Sequence, residues 1–151
     1  KAFLDPSRDP RGISYQVNQA MISIGAGGLF GVGYGQSTQK FGFLPEAVGD
    51  SIFAVISEEL GLVGALATIS MLGFLCYSLA KAAMNTRDKF ARLYLMGFNT
   101  WIISQAIINI AAISGISPLT GLPLPFISYG GTALITLLSG MGIALNIVHT
   151  S

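Results

Sequence analysis

Lys40, Glu46, Asp50, Glu58 and Glu59 crowd the approach to the first long apolar run and its opening turns. A carboxylate at the edge of a low-dielectric region can have its pKa raised and serve as a general base. Asp50 directly precedes the apolar run, where the ordinary use of Asp is as a helix N-cap that accepts backbone N–H bonds. The two roles are compatible. Glu58 follows Asp50 by eight residues, roughly 80° around a continuous helix. Glu58 and Glu59 read first as an interfacial pair facing water. Either one, turned into a bundle, would be an intramembrane acid and so a functional candidate.

A second polar group lies further on, at Asn99, Ser104, Gln105 and Asn109. Gln105 and Asn109 stand at i and i+4 and share one helix face. They are expected to hydrogen-bond between helices, with cavity lining as the second reading. The segment ISPLTGLPLPFISYGGT follows, with Pro118, Pro123 and Pro125 among Gly121, Gly130 and Gly131. Prolines at this density prevent a regular helix, and irregular backbone near membrane depth is tolerated only inside protein or along a wet cavity. It reads as a stiff turn or as the wall of a substrate cavity, with Ser128, Tyr129 and Gly130 as candidate contacts. The lone Cys76 reads as a packing residue and His149 has no metal-ligating neighbours, so neither marks a metal site.

The elements that hold these residues are read from hydropathy. The chain has 151 residues, is 52% hydrophobic and 10% charged, and has a mean hydropathy of +0.65. Arg92 is the last charged residue, and the 59 residues after it carry none. No water-soluble surface can be made from such a stretch, and a bilayer is its natural solvent. Spans are expected at about 51–80, 93–113 and 131–148. Lys81, Arg87, Lys89 and Arg92 against the single Asp88 mark the 81–92 connection as cytoplasmic. Residues 1–50 and the loop around 114–130 are then extracytoplasmic, and the C-terminus is cytoplasmic. Net charge is +1, with no basic stripe for nucleic acid. Lys1 opens the chain without a targeting leader, which reads as a fragment of a longer protein.

Within the first fifty residues, apolar positions 13, 17, 20, 21 and 24 have helical spacing, too short to span. Gly25, Gly27, Gly28, Gly31, Gly33 and Gly35 follow. The tract lacks phosphate-loop spacing. Close packing through Gly27 and Gly31, or a flexible loop, is the better account.

Three segments, YQVNQAMISIGAGGLFGVGYGQSTQKFGFLPEA, DSIFAVISEELGLVG and INIAAISGISPLTGLPLPFISYGGT, resemble in order the SEDS family of FtsW, RodA and SpoVE. The resemblance runs from about Tyr15 to the C-terminus, and KFGFLPEA with Tyr15-Gln16 looks more like the cell-division branch, FtsW, than the elongation branch, RodA. It implies an all-α polytopic protein of about ten membrane helices, of which this chain would hold the last three. It also implies a peptidoglycan glycosyltransferase of the bacterial inner membrane that polymerises lipid II and releases undecaprenyl pyrophosphate. The implied partners are a class B penicillin-binding protein, other divisome proteins and membrane lipids; the fragment alone is expected to be inactive.

The family's essential aspartate lies in a pattern like LPExHTDFIF. Leu44-Pro45-Glu46-Ala47-Val48-Gly49-Asp50-Ser51-Ile52-Phe53 matches it, so the resemblance carries that role to Asp50. Val48-Gly49 replaces His-Thr and Ser51 replaces Phe. Lys40 is the basic residue nearest in sequence and would counter the charge of the leaving pyrophosphate, a task that a divalent cation, Mg or Mn, could share. Glu46, Glu58, Gln105, Asn109, Ser128, Tyr129 and Gly130 complete the candidate substrate contacts. The competing classes are a lipid II flippase using the same cavity and a scaffold that recruits the penicillin-binding protein. The altered VGDS tetrad favours the scaffold.

Overall fold

In the computed structural model, residues 20, 22, 25–33, 52–117 and 121–150 are described. They are helical with no strand among them, and three helices dominate: α1 (Ile52–Asn85), α2 (Lys89–Ile113) and α3 (Gly131–Thr150). Each is long and apolar enough to cross a membrane; even α3, with 20 residues, reaches about 30 Å at 1.5 Å per residue. The chain is therefore an all-α polytopic membrane segment.

The helices run past the apolar stretches at their charged ends. α1 continues through Lys81 to Asn85 and α2 begins at Lys89, because long basic side chains can carry their charge outward from a helix that stays regular. Thr86, Arg87 and Asp88 make the link between them. Asp88 caps α2, its carboxylate accepting from the N–H groups of Phe90 at 3.2 Å and Ala91 at 3.4 Å. The boundary expected at residue 50, and most of the short helix expected at 13–24, lie outside the described residues; Ala20, Ile22, Gly25 and Ala26 are helical.

A continuous first span is what hydropathy predicts, and here the structure differs. α1 is two helical segments that meet at Gly61, with φ 66° and ψ −161°. That region is open essentially to glycine alone. In an unbroken helix, Leu62 N–H would donate to Glu58 C=O and Val63 N–H to Glu59 C=O. At the break both bonds are exchanged for four bonds to the glycine tract. The Val32 and Gly33 N–H groups donate to the Glu58 and Glu59 carbonyls at 3.0 and 3.2 Å. Leu62 and Val63 N–H donate to the Gly28 and Leu29 carbonyls at 2.9 and 3.4 Å. Residues 27–33 thus fill the break, tightened by their own turn, in which Gly31 N–H donates to Gly27 C=O at 2.7 Å.

This seat requires glycine on both sides. A Cβ on Gly27 would overlap the Ser57 carbonyl, one on Gly31 the Glu59 carbonyl, and one on Gly61 the Gly31 nitrogen. The close approach expected of Gly27 and Gly31 is present, against the backbone of α1.

Two apolar clusters tie the helices together. Phe53, Ala54, Ala65 and Leu72 of α1 meet Ala106 and Ile113 of α2, with Ala20 and Leu124 from the flanking segments. The second cluster joins Leu79 and Ala83 to Leu95, Phe98 and Ile102 of α2 and to Leu137 and Ala144 of α3. There the Phe98 ring lies 2.5 Å from where a Gly140 Cβ would stand, and Tyr94 O–H donates to Gly140 C=O at 3.0 Å. Small residues permit such approach between membrane helices.

Gly61→Ala tests the break. It demands a strained backbone worth about 1–3 kcal/mol and adds a methyl against Gly31 and Leu29. The full-length protein carrying it should melt well below the parent in detergent. A parental melting temperature would mean that α1 runs through position 61 unbroken.

Candidate functional site

The segment before the break, residues 52–60, carries Glu58 and Glu59 and follows Asp50 in the chain. It is short, and its own polar group is internal: Ser57 Oγ donates back to the Phe53 carbonyl at 2.8 Å. One face, through Phe53 and Ala54, enters the core cluster; another lies beneath the glycine tract. Glu58 and Glu59 are consequently buried, at 2% and 7% exposure. The expectation that they face water as an interfacial pair is wrong. It treated α1 as a straight helix with its first turns in solvent, whereas residues 27–33 fold back over residues 57–61. Glu58 and Glu59 each engage a partner, and buried acids on a helix long and apolar enough to span are functional candidates.

The proline-rich loop is held from α2. Gln105 Nε2 donates to the Pro123 carbonyl at 2.8 Å, and Asn109 Nδ2 donates to the Leu122 carbonyl at 2.6 Å. Two amides one turn apart therefore take up two consecutive carbonyls that no regular structure could satisfy. The shared face read from sequence is real, and these two bonds tie it to the loop. Ser128 is buried, and its Oγ accepts from Leu124 N–H at 2.7 Å. Leu124 and Pro125 are fully buried, and Phe126 is held at φ 63° between them and Ser128. A non-glycine residue in that region persists only where its surroundings over-determine it.

Loop and half-helix belong to one assembly, since Leu124 shares the core cluster of Phe53 and Ala54. Tyr129 is 81% exposed beside this assembly, and the Gly130 carbonyl accepts from Leu134 N–H at 2.8 Å as α3 begins. An apolar cavity of about 350 Å³ opens between α1, the loop and α3, lined by Met71, Leu75, Ser78, Phe126, Ile127 and Met141.

Of the residues singled out from sequence, Glu58, Gln105, Asn109, Ser128, Tyr129 and Gly130 are thus described; Lys40, Glu46 and Asp50 lie outside the described residues. Among the described residues no three His, Cys, Asp or Glu side chains gather as a metal site. The divalent cation that the resemblance allows finds no such ligand set among the described residues. Gly61 was missed by sequence reasoning. Its signal was the pairing of ELGLVG with a glycine tract some thirty residues upstream.

The family model described as "Cell cycle protein" for FtsW, RodA and SpoVE matches residues 1–151. A protein of Trichlorobacter lovleyi named "Probable peptidoglycan glycosyltransferase FtsW" is 44% identical over 97% of this chain and 39% of its own length. "Stage V sporulation protein E" of Bacillus subtilis is 40% identical over 99% of this chain and 41% of its own. A solved structure described as "Structural coordination of polymerization and crosslinking by a peptidoglycan synthase complex" contains a chain 31% identical to this one. The two superpose with a TM-score of 0.78 over 98% of this chain and 40% of that one. The chain spans about two-fifths of the length of the curated relatives it matches. With a family match over its whole length and 40–45% identity to FtsW and its sporulation counterpart, this chain belongs to the FtsW/RodA/SpoVE family and is most like FtsW.

Proposed function

We propose that the full-length protein carrying this chain is a peptidoglycan glycosyltransferase of cell division that polymerises lipid II in the bacterial inner membrane. The observation that carries the reading is the 44% identity, over 97% of the chain, to a relative named for that activity. In this reading Asp50 is the general base. It takes the proton of the acceptor sugar hydroxyl as that oxygen bonds to the donor sugar, while the bond to the lipid pyrophosphate breaks and the leaving group carries away the electron pair. Lys40 counters the negative charge that grows on the pyrophosphate. The apolar cavity beside Phe126 has the lining that a lipid tail requires. The partner is a class B penicillin-binding protein, in line with the synthase complex that holds the similar chain.

A flippase would draw on the same lipid and the same cavity. Transporters often bind ions at broken helices through unwound carbonyls. Here the Glu58 and Glu59 carbonyls at the break both accept bonds from the glycine tract, which favours the polymerase.

The reading orients the chain with the basic link between α1 and α2 in the cytoplasm. Arg87 in that link and Lys81, Lys89 and Arg92 in the helix ends beside it are all exposed. In a Cys76→Ala background, Asn85→Cys should resist an impermeant thiol reagent on intact cells, and Gln36→Cys and Thr120→Cys should be labelled. Strong labelling at 85 would invert the topology and remove Asp50 from the outer face.

Asp50→Asn separates base from cap. Asparagine caps a helix almost as well as aspartate but takes no proton near neutral pH. Glycan synthesis from purified lipid II should fall about 10²–10⁴-fold, with melting temperature and co-purification of the penicillin-binding protein as in the parent. Normal polymer from this variant would return Asp50 to a capping role.

A further inference from the structure

Glycines of the 25–33 tract differ in what surrounds them. A Cβ on Gly25 or Gly28 meets nothing within 4 Å. A Cβ on Gly27 meets the Ser57 carbonyl and, at 3.0 Å, Glu58 Cα; one on Gly31 meets the Glu59 carbonyl and, at 2.7 Å, Leu60 N. Every one of these neighbours is a backbone atom, so no rotamer change can make room. The glycines that must stay bare are those facing residues 57–60. On its opposite side the same half-helix is packed through Phe53 and Ala54. A methyl at 27 or 31 must therefore lift the tract from its seat or shift the half-helix against the rest of α1, and either loosens the hold on residues 52–60.

We infer that Gly27, Gly31 and Gly61 are positioning residues of the transfer reaction. They let the tract seat in the break and fix the backbone of residues 52–60, the segment that follows Asp50 in the chain. The inference rests on the reading of Asp50 as the base. A general base acts through geometry as much as through pKa, and a misplacement of about 1 Å can cost about 10²-fold in rate. The tract touches no reacting atom in this scheme, so its effect falls on turnover and not on capture of the lipid.

The test measures initial rates of polymerisation against lipid II concentration, with a melting curve for each variant, in the full-length protein with its penicillin-binding partner. Gly27→Ala should lower kcat about 10–100-fold with KM unchanged, and Gly25→Ala should match the parent. Gly140→Val pushes on the Phe98 ring in the other apolar cluster. It should lower the melting temperature and keep kcat, so rate and stability are read separately. The inference is overturned by a parental kcat in Gly27→Ala, by a raised KM with kcat intact, or by rate that follows melting temperature through the whole set. Failure of Gly27→Ala to fold where Gly25→Ala folds overturns it too, because the tract would then be structural only. Asp50→Asn in the same assay keeps the two ideas apart. An active Asp50→Asn defeats the base, whereas an inactive Asp50→Asn beside an active Gly27→Ala defeats the positioning role alone.

Discussion

Backbone N–H and C=O groups inside a bilayer have no water to turn to, and each one left unpaired there costs several kcal/mol. A helix that breaks at membrane depth must find new partners for every group it releases. At Gly61 the released groups are the Glu58 and Glu59 carbonyls and the Leu62 and Val63 N–H groups, and residues 28–33 supply a partner for each. Most of what distinguishes this chain from three plain spans follows from that exchange. The half-helix before the break is fixed at a defined place, its two glutamates are covered, and a glycine tract from the preceding region is built into the first helix.

The proline-rich loop solves the same problem by other means. Its carbonyls at Leu122 and Pro123 are met by side-chain amides from α2, and Leu124 N–H by the Ser128 hydroxyl. Leu124 then joins Phe53 and Ala54 in one apolar cluster. Two irregular segments, each satisfied internally, are thus packed against each other. Irregular backbone is kept at such depth when it shapes a cavity or a site. Both segments meet that condition at the end of the bundle around Phe53 and Leu124, whereas the end around Leu79, Phe98 and Ala144 is regular helix packed on helix.

How much of this was legible depended on the range of the interaction involved. The three spans follow from uncharged runs, which are local in sequence, and α1, α2 and α3 lie where those runs lie. Gln105 and Asn109 could be set on one face by their spacing, because helical phase is also local. Their partners could not be named, since Leu122 and Pro123 reach them only through the fold of the loop. The break at Gly61 was hidden for a stronger reason. A glycine inside an apolar run is compatible with a continuous membrane helix, and what bends it here is a tract thirty residues away. The burial of Glu58 and Glu59 was misjudged by the same omission, because the cover over them is that tract. Asp50, which hydropathy reads as a helix cap and the family resemblance as a base, lies outside the described residues.

The direct measurement of the central claim is amide hydrogen exchange, residue by residue, on the full-length protein in lipid nanodiscs, comparing the parent with Gly31→Ala. If the tract closes the break, Val32, Gly33, Leu62 and Val63 exchange slowly in the parent, as helix-interior amides do. In Gly31→Ala these four accelerate together, while Ala65 and the residues after it keep their protection. Rapid exchange at Leu62 and Val63 in the parent, or four amides that respond independently to the substitution, would contradict the account.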